Sequence, residues 1–176
     1  MASRSAFRLA AIVVGVLFIR VAVARAMPLE PKLQATLLNK IIAYDSTTAS
    51  SQPAPVRVLV VYQSPNAMVK KLLDAFREVG LDAFAINEAD VESEIANARV
   101  LYLMPDVNAA ALSELSARAG TLSVSGAAGF AEVGQSAVGL GLSQDGRPQI
   151  VVNLAQAQRE GHRFAPQFLS LTRIVR

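Results

Sequence analysis

From Val56 onward the chain alternates between short unbroken apolar runs and stripes with a period near 3.6 residues. Val56 to Tyr62 is apolar except for Arg57, the pattern of a strand buried on both faces. Asn66 to Val79 carries Val69, Leu72, Leu73 and Phe76 on one side and stops at Gly80, which predicts an amphipathic helix. Ala83 to Ile86, Val100 to Met104 and Thr121 to Ser125 predict three more strands, with helices over Ala89 to Ala96 and Asn108 to Ala119 between them. Ahead of them, Leu33, Leu37, Ile41 and Tyr44 recur at helical spacing, so Pro31 to Tyr44 reads as an amphipathic helix. Strand and helix in succession, with apolar strands, predict a three-layer α/β fold: a mainly parallel sheet with helices on both faces.

The pattern changes after Thr121. Thr121-Leu122-Ser123-Val124-Ser125 alternates like a half-buried strand, and the glycines from Gly126 to Gly129 predict a bend. Ala137 to Leu142 is expected to pair with Gln149 to Val152 across Gln144-Asp145-Gly146, giving an antiparallel carboxyl-terminal hairpin at the sheet edge. Asn153 is the expected N-cap of the next helix, with Gln156 placed to reach back as in a capping box. Gly161 closes that helix and Pro166 opens another. Phe164, Phe168 and Leu171 form one helical stripe with Ile174 near it, and Arg173 and Arg176 sit where cations favour a helix end.

Residues 1–26 have the layout of an export leader: Arg4 and Arg8, an apolar stretch from Leu9 to Ile19, and Ala24-Arg25-Ala26 at the cleavage position. The apolar run is shorter than the roughly 20 residues that span a bilayer, so no stable insertion is expected after cleavage. Arg20 inside the expected boundary leaves a retained anchor as the alternative. The leader holds four of the 17 basic residues and none of the 14 acidic ones, so residues 27–176 carry 13 against 14, a net of −1. The basic character belongs to the precursor, and a nucleic-acid partner is not expected. About 150 residues suit one domain. The chain has no cysteine, which excludes disulfide staples, thiol catalysis and thiolate metal sites.

Residues with reactive chemistry are few. His162 is the sole histidine; it follows Gly161, adjoins Arg163, and is expected to be a solvated turn residue rather than a catalytic one. One histidine among scattered carboxylates gives no metal-ligand spacing. Ser125-Gly126-Ala127-Ala128-Gly129 could aim amides at a phosphate but lacks the P-loop lysine and the dinucleotide fingerprint, so a tight bend returning Phe130 to the core is favoured. The loops Gln63 to Asn66, Asn87 to Glu88, Pro105 to Asn108 and Ser125 to Gly129 follow the parallel strands, where an open α/β sheet binds ligands; their Asn, Ser and Gln content suits turn chemistry first. No catalytic residue, cofactor or metal is expected.

Phe130 after the bend, Asn153 after the last strand of the hairpin, and Phe168-Leu169 in the final helix together resemble the carboxyl-terminal half of the YfiR-like family. The resemblance is densest from Thr121 to Ile174 and thin before that. It departs from the family at Gly134-Gln135, where a Gly-Gly pair is usual, and at Tyr44-Asp45, where an aromatic-Pro segment is replaced by a Ser/Thr stretch running to Pro55. The resemblance implies a non-catalytic periplasmic protein that represses or modulates an inner-membrane signalling protein, a diguanylate cyclase or a sensor kinase, through its extracytoplasmic region. The rival expectation is a small-molecule module like one lobe of a solute-binding protein, in which a homodimer could rebuild the cleft.

Overall fold

The computed structural model describes residues 29–47 and 55–176; residues 1–28, with the expected leader, and residues 48–54 lie outside the described residues. The first apolar run becomes β1 (Arg57–Tyr62), flanked by β2 (Asp82–Asn87) on one side and β3 (Val100–Leu103) on the other. Beyond β3 lie β4 (Leu122–Ser125), β5 (Val138–Leu142), β6 (Pro148–Asn153) and β7 (Arg173–Val175), so the sheet order is β2-β1-β3-β4-β5-β6-β7. The first five in that order are parallel. β6 runs antiparallel to β5, as the Asp-Gly turn predicts, and β7 is parallel to β6. The hairpin is therefore not the edge, because β7 covers β6.

Helices cover both faces: α1 (Pro31–Tyr44), α2 (Ala67–Glu78), α3 (Val91–Glu94), α4 (Ala109–Ala119), α5 (Ala128–Glu132), α6 (Leu154–Arg159) and α7 (Pro166–Leu169). Strand period assigns the faces. Tyr102 and Val124 are register partners on one face, where the Tyr102 ring meets Phe76 of α2 edge-on at 5.0 Å. Ser123, one residue away, turns to the other face and meets Ser116-bearing α4 and the end of α6 through Glu160. The predicted helix boundaries match where caps define them. Asn66 Oδ1 accepts the Met68 and Val69 N–H groups at 3.0 and 3.2 Å to start α2, and Gly120 in the left-handed region ends α4. The segment expected as one helix over Ala89 to Ala96 is a short α3 between two 3-10 turns, since acidic residues alternate there and only Val91 and Ile95 reach the core.

Three further expectations change. β4 is buried along its whole length rather than on one face, so Ser123 and Ser125 are core residues satisfied by protein groups. The Gly126 to Gly129 bend contracts into α5, which lies directly on β5. At Gly139 a Cβ would come within 2.7 Å of Ala128 Cα, and at Gly141 within 2.9 Å of Ala128 Cβ, so only glycines allow that approach. The stripe ending at Ile174 is not one helix: α7 stops at Leu169 and the chain turns into β7. Phe164 and Phe168 are buried, the latter stacked on Tyr44 of α1 at 5.5 Å, while Leu171 and Ile174 are exposed.

The two sheet edges are unlike. At β2 the Asp82 N–H bonds inward to Val56, so its neighbour Ala83 turns its carbonyl outward, and the Arg77 guanidinium caps it with bonds of 2.7 and 3.1 Å. Arg57 also lies over the Phe84 ring at 5.0 Å. The Arg77 cap occupies an outward backbone acceptor of that edge and so disfavours a further strand there. No equivalent cover lies over β7 among the described residues.

Candidate functional site

The strand order places a topological switch point between β1 and β3, where a ligand crevice is expected. The loops there bind one another. Ser64 N–H donates to Asp106 Oδ2 at 3.0 Å, Asn87 Nδ2 to the Gln63 carbonyl at 3.2 Å, and Asn108 N–H to Glu88 Oε2 at 3.1 Å. Asp106 Oδ1 is buried without a hydrogen-bond partner among the described residues. At the end of β4 the Gly126 and Ala127 amides are donated to the Leu103 carbonyl (3.3 Å) and Ser125 Oγ (2.9 Å). A Cβ at Gly126 would stand 2.7 Å from the Tyr102 hydroxyl, so this glycine serves close packing. That hydroxyl donates to Gln34, whose amide donates to the Leu29 carbonyl, and burial pushes the phenol far above its ordinary pKa.

His162 is not solvated. Its ring is 3% exposed, and Nδ1 lies 2.7 Å from Oδ2 of the fully buried Asp45. Asp45 also accepts the Thr47 N–H at 3.1 Å and the Thr47 hydroxyl. Backbone bonds run beside the pair: Ala165 N–H to the Tyr44 carbonyl (3.1 Å) and Ser46 N–H to the Arg163 carbonyl (2.9 Å). Together they fasten the end of α1 to the α6–α7 connection. Nε2 is buried without a hydrogen-bond partner among the described residues, and the Thr47 hydroxyl lies 3.2 Å from Nδ1, so the contacts seen at the ring all tie it to the end of α1. Nothing local in the sequence signals it, because Asp45 and His162 are 117 residues apart.

A second buried group escaped the sequence reading. Glu160 is 1% exposed; its Oε1 lies 2.7 Å from Ser116 Oγ and accepts from Ser123 Oγ (2.5 Å) and Gln156 Nε2 (2.8 Å), and its Oε2 accepts from Ser123 N–H (2.9 Å). Gln156 is thereby drawn away from a capping box, leaving Asn153 to cap α6 alone through the Gln156 N–H at 2.9 Å. Asn153 Nδ2 meanwhile donates to the Ala131 carbonyl of α5 at 3.0 Å. Gly134 keeps a positive φ of 76° where the turn needs it, and Gln135 sits at negative φ with its N–H on the Phe130 carbonyl at 2.7 Å.

Among the described residues five large hydrophobic side chains are exposed: Tyr44, Phe84, Val133, Leu171 and Ile174. Tyr44 stacks on Phe168 and Phe84 lies under Arg57, so two have local partners. The other three belong to the β7 end of the sheet. Val133 (68% exposed) follows Glu132, which Arg173 of β7 holds at 2.7 Å; Leu171 (78%) lies two residues before β7, and Ile174 lies within it. Shallow hollows of about 420 and 320 Å³ flank the strand, the first walled by Ile150, Leu171 and Arg173, the second by Val133, Arg159 and Arg176. No three His, Asp or Glu side chains gather as metal ligands among the described residues, and none of their helices is long and apolar enough to cross a membrane.

The described polar groups of this α/β sheet thus serve largely as internal ties, and three exposed apolar side chains lie on segments beside or within β7. The chain belongs to the YfiR/HmsC-like family, DUF4154, whose model matches residues 31–173. Among solved structures it is similar to a conserved domain protein from Vibrio cholerae (TM-score 0.62, 15% identity, 83% of this chain and 60% of that one). It is also similar to an ABC domain from Streptococcus pneumonia solved with L-Trp (TM-score 0.61, 12% identity, with the same shares of 83% and 60%). The chain spans about 60% of the length of each, and these likenesses define the α/β fold. No curated protein matches it.

Proposed function

We propose that the chain is an exported regulatory protein of the periplasm that binds the extracytoplasmic region of an inner-membrane signalling protein, a diguanylate cyclase or a sensor kinase. It acts without catalysing a reaction. Family membership supports this reading, and the observation that carries it is the exposure of Val133, Leu171 and Ile174 on segments beside and within β7. A binder with higher affinity for the inactive arrangement of its partner holds that state, and its removal releases activity. Affinity capture from membranes in mild detergent tests the proposal: a membrane protein with an extracytoplasmic domain is expected in the eluate, and recovery of none overturns it.

A second reading is favoured by one observation, the similarity to an ABC domain solved with L-Trp. In that reading the chain binds a small polar molecule at the carboxyl ends of β1 and β3. A thermal-shift screen of polar metabolites, amino acids included, separates the two. A strong shift with one compound supports the ligand module, and its absence across the panel leaves the partner-binding reading.

A further inference from the structure

Glu160 sits where three elements meet, as the C-cap of α6, against the last turns of α4 and the middle of β4. The side chains turned to it are all neutral: Ser116 from α4, Ser123 from β4 and Gln156 from its own helix. The cations beside it in sequence and on the last turn of α4 are otherwise engaged. Arg159 pairs with Glu114 at 2.6 Å, Arg118 reaches Glu92 at 3.9 Å, and His162 is turned to Asp45. Glu160 thus lies at the carboxyl end of α6 and beside the last turn of α4, and among the described residues none of the side chains bonded to it is cationic.

The hydrogens around it can be counted. Ser116 Oγ lies 3.0 Å from the Ser113 carbonyl and 2.7 Å from Glu160 Oε1, two groups that both accept when the carboxyl is ionised, yet a hydroxyl has one hydrogen. A proton on Glu160 resolves the conflict, because the carboxyl donates to Ser116 Oγ and Ser116 donates to Ser113. Ser123 Oγ needs no such help; it accepts the Ala137 N–H at 2.8 Å and donates to Glu160. Burial raises the carboxyl above its ordinary pKa, and the hydrogen bonds from Ser116, Ser123 and Gln156 partly oppose that.

We infer that Glu160 is a proton-operated tie, which pins α6 to α4 and β4 while protonated and lets the segment from α6 to β7 loosen on ionisation. The sign follows from linkage. The folded state holds this proton more tightly than the unfolded chain, so the contribution is full below the unfolded pKa and fades as pH rises through the folded one. The segment it pins carries the exposed edge, so external pH, which the periplasm follows, would set how firmly that edge is presented. Only this last consequence rests on the partner-binding reading. The device belongs to the domain alone.

The test therefore needs no partner. Hydrogen exchange on the purified protein, corrected for intrinsic rates, is measured between about pH 5 and pH 8 for wild type and Glu160→Gln. Protection in α6 and β7 is expected to fall by up to about tenfold per pH unit in wild type while β1 and β3 hold, and to stay level in the variant. Infrared spectra of wild type are expected to contain a protonated-carboxyl band that disappears as pH rises. That band missing at every pH at which the protein is folded overturns the inference, whether or not Glu160→Gln folds. So does a variant whose exchange follows pH as wild type does.

Discussion

Gly139→Ala is the sharpest test of how the carboxyl-terminal half is packed. Gly139 does not have positive φ, so the substitution probes space rather than backbone strain. The new Cβ would stand 2.7 Å from Ala128 Cα, 2.9 Å from the Ala128 carbonyl oxygen and 3.0 Å from Ala131 Cβ, where carbon contacts settle at about 3.5–4.0 Å. Two of those atoms are backbone, and α5 is tethered by the Asn153 bond to the Ala131 carbonyl, so relief requires moving the helix off the sheet by close to an ångström. Overpacking of this type costs about 1–3 kcal/mol, and the upper half of that range applies here. In a domain of this size that lowers Tm by roughly 4–12 °C. Gly129 provides the opposite sign ten residues earlier. It lies within α5 with nothing within 4 Å of a Cβ, so Gly129→Ala gains helix propensity of about 0.8–1 kcal/mol. Urea melts followed by circular dichroism, with m unchanged, check both. Equal shifts for the two variants, or a Gly139→Ala protein within about 0.5 kcal/mol of wild type, would show that α5 does not rest on β5 as described.

Three further outcomes are expected. Asp45→Asn removes the charged acceptor of the buried His162 ring and should cost about 1.5–3 kcal/mol in a denaturant melt, with exchange rising first at the end of α1 and at residues 162–165. Asn153→Ala loses the α6 cap and the bond to Ala131 together, at about 2 kcal/mol, while Asn153→Asp keeps the cap and recovers about half of that in the same melt. Arg77→Ala uncovers the Ala83 carbonyl on β2; light scattering should show stronger concentration-dependent association than in wild type, with Tm little changed.

The sequence made the parallel core legible because each element there is defined by its own neighbours. The 3.6-residue stripe of α2 stops at Gly80, the Asn66 cap precedes it, and the apolar runs of β1 and β3 admit no other face pattern. The carboxyl-terminal region was legible in order but not in depth. Ser123 looks like a solvent-facing position by period, and only a partner 37 residues away, Glu160, makes it a core residue. His162 follows a helix-ending glycine like any turn residue, yet Asp45 reaches it from the other end of the domain. Long-range polar pairs of this type carry no local signature. Leu171 and Ile174 fit a helical stripe, and the switch to β7 is decided by the open side of β6 rather than by their own spacing. The exposed edge was invisible for the same reason: exposure depends on what covers a residue.

The central claim is that this domain works by holding a partner at the β7 end of its sheet. The most direct measurement is binding of the purified protein to the extracytoplasmic region of the membrane protein it captures, for wild type and for Val133→Glu with Leu171→Glu. Both side chains are mostly exposed, so the double variant should melt within about 0.5 kcal/mol per site of wild type. The account predicts that it binds at least about a hundredfold more weakly, a loss of about 2.7 kcal/mol. Unaltered affinity in a folded double variant would contradict it.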